Sequence, residues 1–142
     1  MGRFTRRSSL LLLVVVVALG VVGFRVVPRA QGAAPALVKT AAAHILVTGA
    51  GKTLYVFALD KKGTSACTGK CAAAWPALLV PKGGKVPATM TGIPGKFGET
   101  SGTGQLTYDG APLYTFAADK TAGSMLGQGI GGVWWAVVVP SM

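Results

Sequence analysis

The chain has 142 residues, room for one modest domain once an N-terminal segment is set aside. Apolar residues make up 51% and the formal net charge is +10, but Arg3, Arg6, Arg7, Arg25 and Arg29 all precede residue 33 and every later cation is one of nine lysines. A body without arginine and without basic runs interleaved with aromatics argues against nucleic-acid binding; its lysines, set against Asp60, Glu99, Asp109 and Asp119, read as a solvated surface with weak attraction for envelope polyanions or anionic headgroups.

Residues 1–32 read as an address. Arg3, Arg6 and Arg7 precede Leu10 to Phe24, a run of fifteen uncharged and mostly aliphatic residues, and Ala30-Gln31-Gly32-Ala33-Ala34 follows. A positive start, a short apolar run and a small-residue patch define a secretory signal. A helix of that length rises about 22 Å against a hydrocarbon core of about 30 Å, which favours cleavage over permanent spanning. Val26 and Val27 extend the run and Arg25 interrupts the cleavage region, so an N-terminal membrane anchor stays open as the alternative. No cysteine precedes Cys67, so no diacylglyceryl group has an attachment point here. In both readings the body is exported, and the membrane is met only through this segment. Residues 33–43, Ala-rich with Pro35 and Lys39, are expected to be a tether with little fixed structure.

The body contains one stretch twice. Leu54-Tyr55-Val56-Phe57-Ala58-Leu59-Asp60-Lys61 returns 59 positions later as Leu113-Tyr114-Thr115-Phe116-Ala117-Ala118-Asp119-Lys120. Aligned without a gap, residues 51–81 and 110–140 share 12 identities in 31 positions, among them Trp75 with Trp134. A fixed-period echo is an architectural signal. It predicts a mainly β domain over 44–142, with two tandem hairpin-based repeats (44–81 and 103–140) joined by a connector (82–102) and packed with pseudo-twofold symmetry.

In repeat one, Ile45–Thr48 and Leu54–Phe57 flank Gly49-Ala50-Gly51-Lys52 and read as a hairpin. Its echo is Leu106–Tyr108, Asp109-Gly110 and Leu113–Phe116, and Asp-Gly is a strong turn signal because glycine accepts positive φ without steric cost. Side chains alternate along a strand, which puts Tyr55 and Phe57 on one face, and Tyr114 and Phe116 on the corresponding one. After Asp60, Ser65 is expected to cap a short helix over Ala66 to Ala74 that Pro76 stops. The second copy has Gly127, Gly129, Gly131 and Gly132 over the same span, which argues for a loop around Leu126 and Ile130. Trp75–Val80 and Trp134–Val139 read as strands, the second closing a sheet. Lys96–Thr100 is expected to pair with Gln105–Tyr108.

Cys67 and Cys71 are the only cysteines, and in an exported protein such a pair is expected to form a structural disulfide. The small loop would contribute about 2 kcal/mol on the chain-entropy model. The ungapped alignment sets Leu126 and Ile130 opposite them, so a buried structural position would explain both copies. A redox-active pair is the competing reading. A metal site is poorly supported, because His44 is the only histidine and nothing else completes a thiolate set. No cofactor is implied.

The combined motifs resemble the secreted-repeat family of bacterial predicted lipoproteins, whose repeats carry a Tyr-x4-Asp motif. Tyr55 to Asp60 and Tyr114 to Asp119 have that spacing, Cys67-Thr68-Gly69-Lys70-Cys71 to Trp75-Pro76 is similar to the family's Cys-rich segment, and Gln128 to Trp134 to its Gly-rich ending. The resemblance covers about residues 44 to 140. It implies export and a repeat architecture but no reaction, since the family has no agreed biochemical function.

Two readings of the polar residues follow. In the structural one, Asp60 and Asp119 accept N–H groups of the turns they open, and each tyrosine hydroxyl is satisfied at the core edge by the same aspartate. In the sharper one, both Tyr/Asp sets converge on a shared cleft for a ligand or cation. Of Trp134 and Trp135, one ring is expected in the core and the other half-exposed, able to stack on a carbohydrate or partner. The function expected from all of this is a non-enzymatic, exported cell-envelope module, binding or structural, acting on an envelope polymer or protein partner; the alternative is redox or metal handling outside the cytoplasm.

Overall fold

The computed structural model describes residues 37–141. The signal or anchor segment and the start of the expected tether lie outside the described residues. Residues 37–141 lie in one compact unit, and no helix among the described residues is long and apolar enough to cross a membrane.

Each repeat begins with an antiparallel pair. In repeat one β1 (Val38–Thr40) pairs with β2 (Leu46–Thr48), Val38 opposite Thr48 and Thr40 opposite Leu46. The chain then turns through Gly49-Ala50-Gly51, bridges Thr53 to Val47, and runs on as β3 (Tyr55–Phe57). In repeat two β4 (Phe97–Glu99) pairs with β5 (Leu106–Tyr108), which pairs with β6 (Ala111–Pro112). The turn between β5 and β6 is Asp109-Gly110, with φ of 48° and 87°. Both signs are positive, as a two-residue primed turn needs, and this is the conformation that Asp-Gly favours.

The repeats then exchange their last strands. The tryptophan-bearing strand of repeat two, β7 (Trp134–Ala136), pairs with β3 of repeat one, Tyr55 opposite Ala136 and Phe57 opposite Trp134. The matching segment of repeat one crosses the other way, with Ala77 bridged to Tyr114 and Leu79 to Gln105. Each borrowed strand closes a ring of main-chain hydrogen bonds. Leu46 N–H donates to Val137 O (2.9 Å), Val137 N–H to Leu54 O (2.9 Å) and Leu54 N–H to Leu46 O (3.0 Å). On the other side, Leu106 N–H donates to Leu78 O (2.8 Å), Leu78 N–H to Leu113 O (2.9 Å) and Leu113 N–H to Leu106 O (2.9 Å). At the centre Tyr55 and Tyr114 bond each other's main chains reciprocally, both at 2.9 Å. An approximate dyad therefore passes between these two residues. One apolar cluster draws on both repeats, with Leu46, Leu54, Leu106, Leu113 and Val139 as its most buried members.

Four expectations need correction. The tether does not run to residue 43, because Val38–Thr40 is a strand and Val38 is buried in the core. The connector ends earlier than 102, because Phe97–Glu99 opens repeat two and Phe97 is buried. Both segments are short and polar on one face, so they become strands only where β2 and β5 offer a ladder. The helix α1 covers only Lys70–Ala74, with Gly69 at its N-cap and no side-chain cap; Ser65 is held elsewhere, in the turn after Asp60. Leu126 and Ile130 are exposed, at 66% and 40%, and are not a buried counterpart of the cysteines. The second copy carries a 3-10 turn at Ile130–Gly132 instead of a helix, as its glycines require.

Because each repeat completes the other, cutting the connector should not separate them. Residues 81–85 are exposed, and trypsin should nick after Lys82 or Lys85. The two fragments should then elute together on size exclusion and part only in denaturant; separation under native conditions would contradict the exchanged topology.

Candidate functional site: a crossed tyrosine–aspartate clasp and an aromatic column

The recurring residues meet across the dyad. Tyr55, fully buried on β3, donates its hydroxyl proton to Asp119 Oδ2 at 2.7 Å. Tyr114 donates to Asp60 Oδ2 at 2.6 Å, with Ser65 Oγ 2.7 Å from the same hydroxyl. Each tyrosine is thus satisfied by the aspartate of the other repeat, where the sequence suggested its own. The reciprocal Tyr55–Tyr114 main-chain pair explains the crossing. It sets the two tyrosines side by side and antiparallel, so each ring reaches the turn that closes the opposite motif. The second carboxylate oxygens take backbone amides: Asp60 Oδ1 accepts from Ala66 N–H (2.7 Å) and Asp119 Oδ1 from Leu126 N–H (2.9 Å).

These bonds reveal a register that the ungapped alignment hides. Ala66 corresponds to Leu126, one position beyond the 59-residue offset, so Cys67 corresponds to Gly127. Both are buried. A Cβ at Gly127 would lie 2.7 Å from Trp75 Cη2 and 2.9 Å from Tyr55 Cζ, so only glycine fits against those rings. In repeat one the position is occupied by Cys67, joined to Cys71 by a disulfide and packed in the aromatic cluster.

The aromatic residues form a column. Phe57 stacks on Trp134 (centroids 4.3 Å apart), Trp134 on Trp75 (3.8 Å, planes 3° apart), and Trp75 on Phe116 (4.2 Å). The rings alternate between repeats, with the dyad between the two tryptophans. Tyr55 meets Trp75 edge-on at 5.3 Å, and Tyr114 meets Trp134 edge-on at 5.1 Å. Offset-stacked and edge-to-face pairs of this kind contribute beyond the area they bury. Trp135, next to Trp134 on β7, points the other way and is 44% exposed, because neighbouring strand residues face opposite sides.

A family model described as a secreted repeat of unknown function matches residues 36–79 and again residues 97–138. The chain belongs to that family. The two matches begin within two residues of β1 and at the first residue of β4 and end in the exchanged segments that follow Trp75 and Trp134, so the family's unit is the repeat seen in the fold. The protein is accordingly an exported, extracytoplasmic one, secreted or anchored at the membrane. No curated protein and no solved structure matches it.

Several contributors carried no signal in the sequence. Gln105, 2% exposed, donates its amide to Leu113 O at 2.9 Å. Thr53 donates to Ser124 O at 2.7 Å, and Gln128 Oε1 accepts from Ala136 N–H at 2.7 Å. Their chemistry is generic and their partners lie eight or more residues away; only Gly127, as part of a glycine-rich run, left a trace. Among the described residues no three His, Cys, Asp or Glu side chains converge as a metal site would require.

Burial, followed by the hydrogen bond to Asp60, pushes the Tyr114 hydroxyl up from its ordinary value near 10 to about 12. Burial and the bond to Asp119 raise that of Tyr55 further. Both groups hold their protons more tightly when folded, so their stabilising contribution is complete below about pH 10. It is lost as pH climbs through the folded values. The melting temperature of the wild type should fall steeply from about pH 10 upward, and Tyr55→Phe/Tyr114→Phe should flatten that slope. At neutral pH Asp119→Ala, which leaves the buried Tyr55 hydroxyl proton and the Leu126 amide without their acceptor, should cost about 2–4 kcal/mol in urea unfolding. Trp75→Ala should cost about 3–5 kcal/mol by the same measurement.

Proposed function

We propose that the domain is a non-catalytic module of the cell envelope that binds an anionic partner, and that its Tyr/Asp residues serve the fold. One observation carries the reading. Both motif carboxylates spend their oxygens inside the domain, on Tyr55 and Leu126 for Asp119 and on Tyr114 and Ala66 for Asp60. A general base or nucleophile needs a lone pair turned toward substrate, and Asp119, 1% exposed, is not placed to offer one.

Asp109 also accepts a backbone amide, that of Lys96, at 2.8 Å. Eight of the nine body lysines are exposed. Eight exposed lysines outnumber the exposed Glu99 and Asp109 and the half-buried Asp60, and this excess of positive charge favours an anionic partner and a long-range, salt-screened attraction. Redox handling has less support, because Cys67 is buried and Cys71 half-buried against the aromatic cluster, which limits access to either sulfur.

The test uses the Gly32–Met142 unit and isolated cell envelopes. The unit should co-sediment at about 50 mM salt and be released by about 500 mM. Asp119→Asn should lower its melting temperature yet leave co-sedimentation unchanged below that temperature. Binding that ignores salt, or that disappears while the variant is still folded, would overturn the reading; the second result would place the Tyr/Asp set in a ligand site.

A further inference from the structure

The outer side of β1 differs from that of its counterpart in repeat two, and ladder parity decides which groups face outward. Gly49 N–H donates to Leu37 O (3.2 Å) and Ala41 N–H to Ile45 O (2.8 Å), with Val38, Lys39 and Thr40 opposite Thr48, Val47 and Leu46. Bonded and non-bonded pairs alternate in an antiparallel ladder. Leu37, Lys39 and Ala41 therefore turn their main-chain groups toward β2, while Val38 and Thr40 turn theirs away from it. In repeat two, Asp109 N–H donates to Lys96 O and Thr100 N–H to Gln105 O, so Phe97 and Glu99 face outward in the same manner. There the connector supplies a partner: Phe97 N–H donates to Ala88 O at 2.9 Å. Among the described residues, nothing does the same for Val38 or Thr40.

What borders this edge is a groove of about 770 Å³, with β1 on one side and connector residues on the other, Met90 and Ile93 among them. Lys39 and Lys85 also line it, and no acidic side chain does. An unpaired edge over apolar side chains is a template for one more strand, and natural sheets cover such edges unless they are used.

We propose that the β1 edge takes up an extended peptide segment of a protein partner by strand addition, apolar in its middle and acidic at its ends. Main-chain bonds to Val38 and Thr40 supply the register, Met90 and Ile93 receive alternate apolar side chains, and Lys39 and Lys85 select the acidic flanks. The inference rests on the binding-module reading above and names the class of its partner: a protein strand.

The test uses the Gly32–Met142 unit and a labelled probe peptide with alternating valine and threonine between acidic ends, read by fluorescence anisotropy. A version with lysine ends is the control. Thr40→Pro removes an outward N–H without touching the β1–β2 ladder, and edge positions tolerate proline. The acidic-ended probe should bind wild type and bind Thr40→Pro about tenfold more weakly at an unchanged melting temperature. Lys39→Glu/Lys85→Glu should reverse the preference toward the lysine-ended probe, and this variant decides the matter if the proline variant does not fold. Absence of probe binding, or equal affinity for wild type and Thr40→Pro, would overturn the proposal. So would self-association of the wild type that Thr40→Pro abolishes, since the occupant would then be a second copy. If the probe fails while salt-dependent envelope binding persists, the peptide edge alone is refuted; if envelope binding fails, the broader reading goes with it.

Discussion

Two main-chain hydrogen bonds, from Tyr55 to Tyr114 and back, hold the point on which the rest of the domain is built. They place one residue of each repeat against its equivalent, and the pseudo-dyad follows from that contact. Each bond by itself contributes only about 0.5–1.5 kcal/mol. Their importance is geometric. With the two tyrosines fixed antiparallel, each hydroxyl meets the opposite carboxylate, and Trp75 and Trp134 are brought face to face at 3.8 Å. The polar clasp and the aromatic column are two consequences of one pairing.

Strand exchange makes this pairing obligatory. Neither repeat holds a complete set of strands, because the ring around Leu46 and Leu54 needs Val137 and the ring around Leu106 and Leu113 needs Leu78. An isolated repeat would expose those leucines and leave strand edges unpaired, a state that hydrophobic burial and hydrogen-bond satisfaction both disfavour. Beyond the clasp the copies are free to differ. Repeat one packs a disulfide-linked Cys67 and a short helix beside the column; repeat two packs Gly127 directly against the Trp75 ring and goes on as a 3-10 turn. The cross-link and the glycine are different answers to the same question of how closely the backbone may approach the aromatics.

The departures from symmetry lie at the periphery, where they affect what the surface can do. The connector covers the outer edge of β4 through Ala88, whereas β1 borders a groove. Exposed lysines outnumber exposed carboxylates and set the character of the surface. A scaffold that consumes its own repeated polar residues leaves the exposed positions that differ between the copies for the binding role proposed above.

By itself, the amino-acid sequence determined the elements whose causes are local. The Asp109-Gly110 turn, the strand character of Leu54–Phe57, the stop at Pro76, the Cys67–Cys71 bond and the presence of two copies could all be read from residue type and spacing, since each depends on neighbours within a few positions. The pairing of β4 with β5 was legible for the same reason. Tertiary structure alone decided which copy satisfies which. Tyr55 with Asp119 rather than Asp60, β3 with β7, and Gly127 rather than Leu126 opposite Cys67 are long-range choices between nearly identical partners, and a repeated sequence offers both alternatives equally. The strand at Val38–Thr40 was hidden for a related reason: a three-residue segment carries too little pattern to announce itself, and it becomes a strand because a ladder formed elsewhere in the chain accepts it.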